Sequence, residues 1–143
     1  MEKLNNILFY SIDRAIRTYR QYAQVQIKKA GFTITIDQWL IIKCILENPT
    51  ITQQEIGEIV FKDNASVTRI IELLVKSKYL KRKADKKDRR RFKLEVTEIG
   101  IETIHSVNEI VLQNRSVALE GIEMEQITET QKVLDKITLN CKM

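Results

Sequence analysis

Glycine and proline are scarce in this chain, which has four glycines and one proline among its 143 residues. Flexible linkers, collagen-like repeats and disordered tails are rich in one or both of these residues. No internal repeat or low-complexity segment is present, and hydrophobic residues make up 43% of the sequence. The composition predicts one ordered, mainly helical domain, because this length fits a single core and not two.

Cysteine and histidine are also rare. Cys44 and Cys141 are far apart and have neither CxxC nor Cys/His spacing, which argues against a disulfide framework and a zinc site. Cys44 falls in an apolar segment, where a buried thiol is usually inert, and a sensing role would need a lowered pKa. His105, the only histidine, has no carboxylate or nucleophile at helical spacing. We therefore predict no metal, no cofactor and no enzymatic activity.

Long hydrophobic runs are absent, and so is a basic N-terminal segment followed by an apolar core and a small-residue cleavage site. No run approaches the length needed to span a bilayer. The default expectation is a cytoplasmic protein with no membrane partner.

Acidic residues are nearly missing from residues 76–93, which contain only Asp85 and Asp88. The same segment holds a dense group of basic residues: Lys76, Lys78, Lys81, Arg82, Lys83, Lys86, Lys87, Arg89, Arg90, Arg91 and Lys93. The net charge of +5 is weak evidence by itself. A charge cluster is most often a solvated face, but one focused on a single predicted element indicates an anionic partner.

Two capping boxes mark the starts of two central helices. Thr35 with Gln38, and Thr52 with Glu55, have the spacing in which a hydroxyl accepts from a backbone N–H and the later side chain reaches back. The first helix is apolar on nearly every face, which predicts that it lies at the centre of the fold. The second helix is short and is expected to end at about Phe61.

A third helix, capped by Asp63 or Asn64, follows after a short turn. Its predicted inward stripe is Val67, Ile70, Ile71 and Leu74. The opposite face carries small and polar residues that can approach base edges closely: Ala65, Thr68, Arg69, Glu72 and Lys76, with Ser66 at its border.

After Tyr79 the hydrophobic pattern changes from a helical to an alternating period. Phe92, Leu94 and Val96 alternate with charged residues, as in a half-buried strand, and residues 80–84 can pair with them across a turn. A helix-turn-helix followed by a cationic hairpin is the arrangement of a winged helix. In that arrangement one helix enters the major groove of DNA, and the hairpin reaches phosphates or the minor groove.

Long amphipathic segments flank this unit. Residues 4–30 carry an apolar residue at every third or fourth position, and Gly31 is placed to end that helix. Thr97 caps a second long helix that Gly121 breaks, and residues 124–141 form a last helix. An extended terminal helix has little of its own domain to bury against, so part of this apolar surface is predicted to pack on another subunit.

The expected fold class is mainly α, a winged helix-turn-helix with a small β-hairpin wing. We divide the single domain into a DNA-binding lobe, residues 35–97, and dimerisation helices in residues 1–34 and 98–143.

The order of elements resembles the MarR family of bacterial transcriptional regulators, and the wing carries the closest match. There DKKDRRRFKLEVTEIG, residues 85–100, follows the family pattern of Asp, two spacers, Asp-Arg-Arg, an alternating strand and Leu-Thr-x-x-Gly. Val96 stands where Leu is usual. The resemblance covers essentially the whole chain.

This resemblance implies roles for single residues. Asn64 to Arg69 would begin the recognition helix, and Arg89 or Arg90 would be the wing-tip arginine in the minor groove, with Asp88 bracing the tip through a carboxylate–guanidinium pair. The full set of predicted DNA-binding residues is Gln53, Gln54, Asn64, Ala65, Ser66, Thr68, Arg69, Lys76, Arg89 and Arg90. For Gln53 and Gln54, phosphate contact and simple solvation of a helix N-terminus are equally good expectations.

The resemblance has departures. Glu123 occupies a position where the family often has a Ser cap, which leaves the start of the last helix open. The first helix lacks the cysteine that marks peroxide-sensing relatives, so a redox-sensing role is disfavoured.

Three aromatic residues, Tyr19, Tyr22 and Trp39, could line a pocket of the kind in which the family binds small phenolic compounds. Aromatics at helical spacing are more often part of a core, and we prefer that interpretation.

The sequence thus predicts a homodimeric, sequence-specific regulator that binds double-stranded DNA at a near-palindromic operator. Most members of the family are repressors, and a small aromatic or phenolic ligand could release this one from DNA. The alternative is a winged helix that docks on proteins without reading DNA. The basic wing tip and the small residues of the recognition face argue against that alternative.

Overall fold

A computed structural model describes residues 1–88, 90 and 92–143 of the chain. These residues form α1 (Leu8–Lys29), α2 (Ile36–Glu47), α3 (Gln53–Val60), α4 (Asn64–Lys76), β1 (Leu80–Ala84), β2 (Phe92–Val96), α5 (Glu98–Ala118) and α6 (Met124–Cys141). The strands pair antiparallel as one hairpin. The predicted fold class, a mainly α winged helix-turn-helix, is confirmed.

Helix α2 lies at the centre of the fold, as its apolar sequence predicted. Ile41 and Ile42 are fully buried, and Ile45 is nearly so. Further core residues surround them: Ile27, Ile34, Ile56, Val60, Val67, Ile71, Leu74, Leu80, Ile104 and Val107. One continuous core therefore joins α1 and α5 to the helix-turn-helix.

Both predicted capping boxes are present. The Gln38 N–H donates to Thr35 Oγ1 at 3.1 Å, and the Thr35 N–H donates to Gln38 Oε1 at 3.0 Å. At α3 the Glu55 N–H donates to Thr52 Oγ1 at 3.2 Å, and the Thr52 N–H donates to Glu55 Oε1 at 3.3 Å. These reciprocal bonds satisfy backbone donors that the first turn of a helix leaves free.

The first predicted helix is wrong at its start. Instead of one helix over residues 4–30, a 3-10 turn spans Leu4–Asn6, and Ile7 is extended before α1 begins. Asn5 and Asn6 have low helix propensity, and Asn5 Oδ1 accepts from Arg14 Nη1 of α1 at 3.2 Å. At the other end, Gly31 takes φ +94° just past the helix, as expected.

The turn between α3 and α4 is tight because residue 57 has no side chain. The Lys62 N–H donates to the Gly57 carbonyl at 2.9 Å. A Cβ on Gly57 would lie 2.8 Å from the Lys62 carbonyl oxygen, closer than carbon and oxygen can pack. Phe61, which closes α3, has φ +60° and a fully exposed ring.

The hairpin has the predicted pairing, from Leu80 opposite Val96 to Ala84 opposite Phe92. The expectation that Phe92 lies on a half-buried face is wrong, since its side chain is 69% exposed. Leu94 and Val96 pack against the core, but Phe92 is one pleat farther out, where the strand has left the body of the protein.

Thr97 and Gly100 fasten the base of the hairpin to α5. The Thr97 N–H donates to the Tyr79 carbonyl at 3.0 Å, and Thr97 Oγ1 donates to the Lys78 carbonyl at 2.6 Å. The same hydroxyl caps α5 by accepting from the Gly100 N–H at 3.0 Å. A Cβ on Gly100 would stand only 2.5 Å from the Tyr79 carbonyl oxygen. The Thr-x-x-Gly sequence thus has two roles: its threonine caps α5, and its glycine allows the close approach of the Tyr79 carbonyl.

The terminal helices are incompletely covered. Helices α1 and α5 pack together, and the buried Asn114 donates from Nδ2 to the Ala23 carbonyl at 3.5 Å. Helix α6 contains no buried residue, and its Val133 and Leu139 are 52% and 69% exposed. Among the described residues, no helix is long and apolar enough to cross a membrane.

Replacing Gly100 with alanine is expected to destabilise the fold by about 1–3 kcal/mol, the usual cost of forcing extra volume into a packed site. The new methyl group would clash with the Tyr79 carbonyl and with Val96 Cγ1. Urea unfolding followed by circular dichroism measures this cost. Ser106→Ala, on the exposed side of the same helix, is the matched control. An unchanged midpoint for Gly100→Ala would contradict the close approach.

Candidate nucleic-acid interface

Helix α4 presents one apolar and one polar face. Val67, Ile71 and Leu74 are buried in the core, whereas Ala65 and Arg69 are exposed. The other polar-face residues divide between exposed and half-buried: Asn64, Glu72 and Lys76 are exposed, and Ser66 and Thr68 are half-buried. The faces lie where helical spacing predicted them.

Asp63 is the residue that caps α4. Its Oδ1 accepts from the Ser66 N–H at 2.7 Å. That backbone hydrogen bond is the largest cause of a lowered pKa for the Asp63 carboxyl, and nearby Arg69 and Lys62 act in the same direction. The carboxylate therefore stays charged at neutral pH beside the positive end of the helix dipole.

The start of α3 is tied to the start of α4 by side-chain hydrogen bonds. Gln53 Nε2 donates to Asn64 Oδ1 at 2.9 Å and also to Thr68 Oγ1. The Thr68 hydroxyl donates to the Asn64 carbonyl at 2.8 Å. Gln53 is thus half-buried and bonded rather than simply solvated, whereas Gln54 is exposed. The sequence predicted a phosphate contact or simple solvation for Gln53, and it did not predict this bridge.

Asp37, at the start of α2, joins three elements. Its Oδ1 is 2.6 Å from Arg20 Nη2 on α1, and its Oδ2 is 3.3 Å from Lys62 Nζ in the α3–α4 turn. All three side chains are partly buried. No sequence motif signals this cluster, because its members come from three separate elements of the fold and Arg20 and Asp37 are 17 residues apart.

The hairpin is less uniformly cationic than its sequence suggested. Glu95 Oε2 lies 2.8 Å from Lys83 Nζ and 3.9 Å from Lys81 Nζ. In the hairpin register Lys81, Lys83, Lys93 and Glu95 share one face, because residues directly opposite in a pair point the same way. The contact with Lys83 is the main cause of a lowered pKa for Glu95, and the charges of Lys81 and Lys93 act in the same direction.

Near the turn, backbone groups bond to two aspartates. Asp85 Oδ1 accepts from the Lys87 N–H at 2.9 Å, and Asp88 Oδ1 accepts from the Arg90 N–H at 3.0 Å. Arg90 is exposed, as a wing-tip role requires. Arg89, the other predicted tip arginine, lies outside the described residues. The predicted carboxylate–guanidinium pair at Asp88 stays a prediction.

The three aromatic candidates do not share one environment. Trp39 packs against the core cluster, as preferred, and Tyr19 is half-buried. The core interpretation is wrong for Tyr22, which is 36% exposed. With Gln26 and Lys29 of α1 and Glu109 and Gln113 of α5, it lines an open groove of about 480 Å³.

The two cysteines and the histidine lie in different environments. Cys44 is buried, and this burial is the main cause of a raised pKa for its thiol. The charge of Glu47 acts in the same direction. A reactive cysteine needs the thiolate, so this environment fits the inert interpretation. Cys141 and His105 are exposed. In the described part of the chain, no cluster of His, Cys, Asp and Glu could hold a metal ion.

Comparisons with known proteins point to one family. Residues 34–92 match the sequence model of the MarR family. The chain is 25% identical over 115 residues to the HTH-type transcriptional regulator SarZ of Staphylococcus haemolyticus, a match that covers 78% of this chain and 74% of that protein. It is 23% identical over 135 residues to the HTH-type transcriptional regulator MhqR of Bacillus subtilis, with 94% and 92% covered.

Solved structures share the whole fold. A MarR/EmrR family transcriptional regulator from Acinetobacter sp. ADP1 superimposes with a TM-score of 0.86 at 19% identity, over 97% of both chains. A structure of Bordetella bronchiseptica BpsR, described as showing how 6-hydroxynicotinic acid regulates its DNA binding, superimposes with a TM-score of 0.85 at 17% identity, over 96% of this chain and 97% of that one. At these identities the likeness establishes the fold alone.

Replacing Lys83 with glutamine is expected to raise the pKa of Glu95 toward its ordinary value, because Lys83 is the main cause of the lowering. A lowered pKa means that the ion pair is present above the unfolded pKa and is lost as pH falls through the folded one. Titration of the Glu95 carboxyl carbon by NMR measures the shift. Lys86→Gln, in the hairpin turn, should leave that pKa unchanged, and equal values for the two variants would refute the pairing.

Proposed function

We propose that this chain, whose residues 34–92 match the MarR family and which is similar to two HTH-type transcriptional regulators, regulates transcription by binding a near-palindromic operator in double-stranded DNA as a homodimer. The observation that carries this proposal is the position of a polar helix face next to a cationic hairpin on one lobe. Leu74 of α4 and Leu80 of β1 lie in the same core, which fixes the two surfaces relative to each other.

The polar face of α4 fits a major groove. Its N-terminal turn offers small or short side chains, so the helix backbone can come close to base edges. Arg69 extends from the same face as a charged hydrogen-bond donor. The Asp63 cap stabilises the helix at the end that would contact the bases.

The hairpin supplies charge for the DNA backbone. Arg82, Lys86, Lys87 and Arg90 are exposed, and none of them has an ion pair among the described residues. Phosphate contacts of this kind provide affinity for any sequence, while base contacts from α4 provide selectivity. We propose that Arg89 or Arg90 reaches the minor groove beside the site of α4.

The uncovered terminal helices support pairing of two copies. Helix α6 has no buried residue, and α1 leaves Leu8 and Phe9 more than half exposed. Surface of this kind is normally covered by a partner. A symmetric dimer would place its two α4 helices in successive major grooves, roughly 34 Å apart, which requires a palindromic site.

Release by a small aromatic ligand is the mode of regulation that we favour. The DNA binding of BpsR, a structural neighbour, is regulated by 6-hydroxynicotinic acid. In this chain Tyr22 lines the groove between α1 and α5. A ligand there would act by changing the spacing of the two lobes, since both recognition helices must match the groove repeat. We place this regulatory role in the cytoplasm, as a repressor and without enzymatic activity.

Reversing the charge of the wing tip, with Arg89→Glu and Arg90→Glu, should weaken binding to every duplex by about tenfold or more and flatten its salt dependence. Each lost phosphate contact lowers the slope of log affinity against log salt by about 0.9. Fluorescence anisotropy at several salt concentrations measures both effects. The control is Lys3→Glu with Lys142→Glu, which reverses the same amount of charge outside the DNA-binding lobe. Unchanged binding in the wing variant would contradict the proposal and favour a protein-docking winged helix.

Placing two charges on α6, with Val133→Glu and Leu134→Glu, should weaken dimerisation by about a hundredfold or more. An unpaired charge buried in an interface costs about 3 kcal/mol or more, whereas in an isolated chain both positions are exposed. Sedimentation equilibrium measures the dissociation constant. Lys132→Glu with Lys136→Glu adds the same glutamates at charged positions of α6, and a dimer equally strong in both variants would exclude this face from the interface.

A further inference from the structure

The hydrogen bonds between α3 and α4 can run in only one direction. The carbonyl oxygen of Asn64 has no proton, so the Thr68 hydroxyl, 2.8 Å away, must donate to it. Only the lone pairs of Thr68 Oγ1 then remain for Gln53. The Asn64 carbonyl oxygen thus determines which atom donates and which accepts in each of the following hydrogen bonds.

Gln53 must therefore turn its NH₂ group, and not its oxygen, toward Thr68. The same nitrogen is 2.9 Å from the side chain of Asn64, so Asn64 must face it with Oδ1, the acceptor. Asn64 Nδ2 is left on the other side of the amide. Within residues 1–88, 90 and 92–143, no acceptor pairs with Nδ2.

The hydrogen-bonded chain Thr68–Gln53–Asn64 has a half-buried end and an exposed end. Thr68 and Gln53 are half-buried between the two helices, and Asn64 is exposed on the polar face of α4. The fixed inner end therefore orients an amide that faces solvent in the free protein. On the proposed function, that amide faces the major groove.

We infer that Gln53 is a specificity-determining residue that makes Asn64 a hydrogen-bond donor to DNA, so that the half-site carries guanine, and not adenine, at the base which Asn64 contacts. The inference rests on the proposed DNA binding. An amide recognises adenine by accepting from N6 and donating to N7, whereas guanine offers two acceptors, N7 and O6.

The position of Gln53 favours this choice. Gln53 takes one lone pair of Asn64 Oδ1 and holds that oxygen toward α3, which leaves both hydrogens of Nδ2 as the amide's unpaired donors. Arg69, farther along the same face, carries only donors. Both exposed groups therefore favour base acceptors.

Selection of bound duplexes from a random pool, with the full-length protein, tests the inference. Asn64→Ala identifies the base that Asn64 contacts, as the position at which its selected motif loses preference. At that base the wild-type protein should prefer guanine over adenine by about tenfold, the lower end of discrimination by a good base contact. Gln53→Met keeps the side-chain length but removes the amide, and should reduce the preference to within about threefold.

Two further variants complete the design. Thr68→Val removes the hydroxyl that sets the polarity, so it should also reduce the preference for guanine, and it replaces Gln53→Met if that variant unfolds. Gln21→Met makes the same substitution at an exposed position of α1, outside the DNA-binding lobe, and should leave the motif unchanged.

The outcomes separate the inference from the proposed function. A palindrome with adenine at the Asn64 position, or a guanine preference that survives in both Gln53→Met and Thr68→Val, would overturn the inference while DNA reading stands. If the wild-type protein enriches no duplex at all, the proposed function fails and the inference fails with it.

Discussion

The fold depends on the contact in which Gly100 of α5 meets the Tyr79 carbonyl at the base of the hairpin. Thr97 supports this contact by bonding to the carbonyls of Lys78 and Tyr79 while it caps α5. The end of α4, the hairpin and the start of α5 are thereby held at one point. The direction of the hairpin is consequently set by its root, since beyond Leu94 it has no core to pack against.

Local signals explain what could be predicted from the sequence. The caps at Thr35, Thr52 and Thr97 depend on neighbours within a few residues, and the pairing of residues 80–84 with the next strand depends on a two-residue period. Both were predicted correctly. Phe92 and Tyr22 were misplaced because a period says which face a residue is on and not how far the core extends along it.

The candidate site was predicted in outline but not in its internal bonds. Helical spacing located the polar face of α4 with its exposed Arg69. It could not show that Gln53 bridges to Asn64 and Thr68, because those partners are 11 and 15 residues away, across a turn whose geometry depends on Gly57. Likewise, the basic residue count did not show that the register puts Glu95 among the lysines of the hairpin.

Asp37 has a mechanical consequence that reaches past its own neighbourhood. One of its oxygens is bound to Arg20 on α1 and the other to Lys62, in the turn that leads into α4. One side chain therefore links the position of α1 to the position of the turn before α4, and a substitution of Asp37 would remove both ion pairs together.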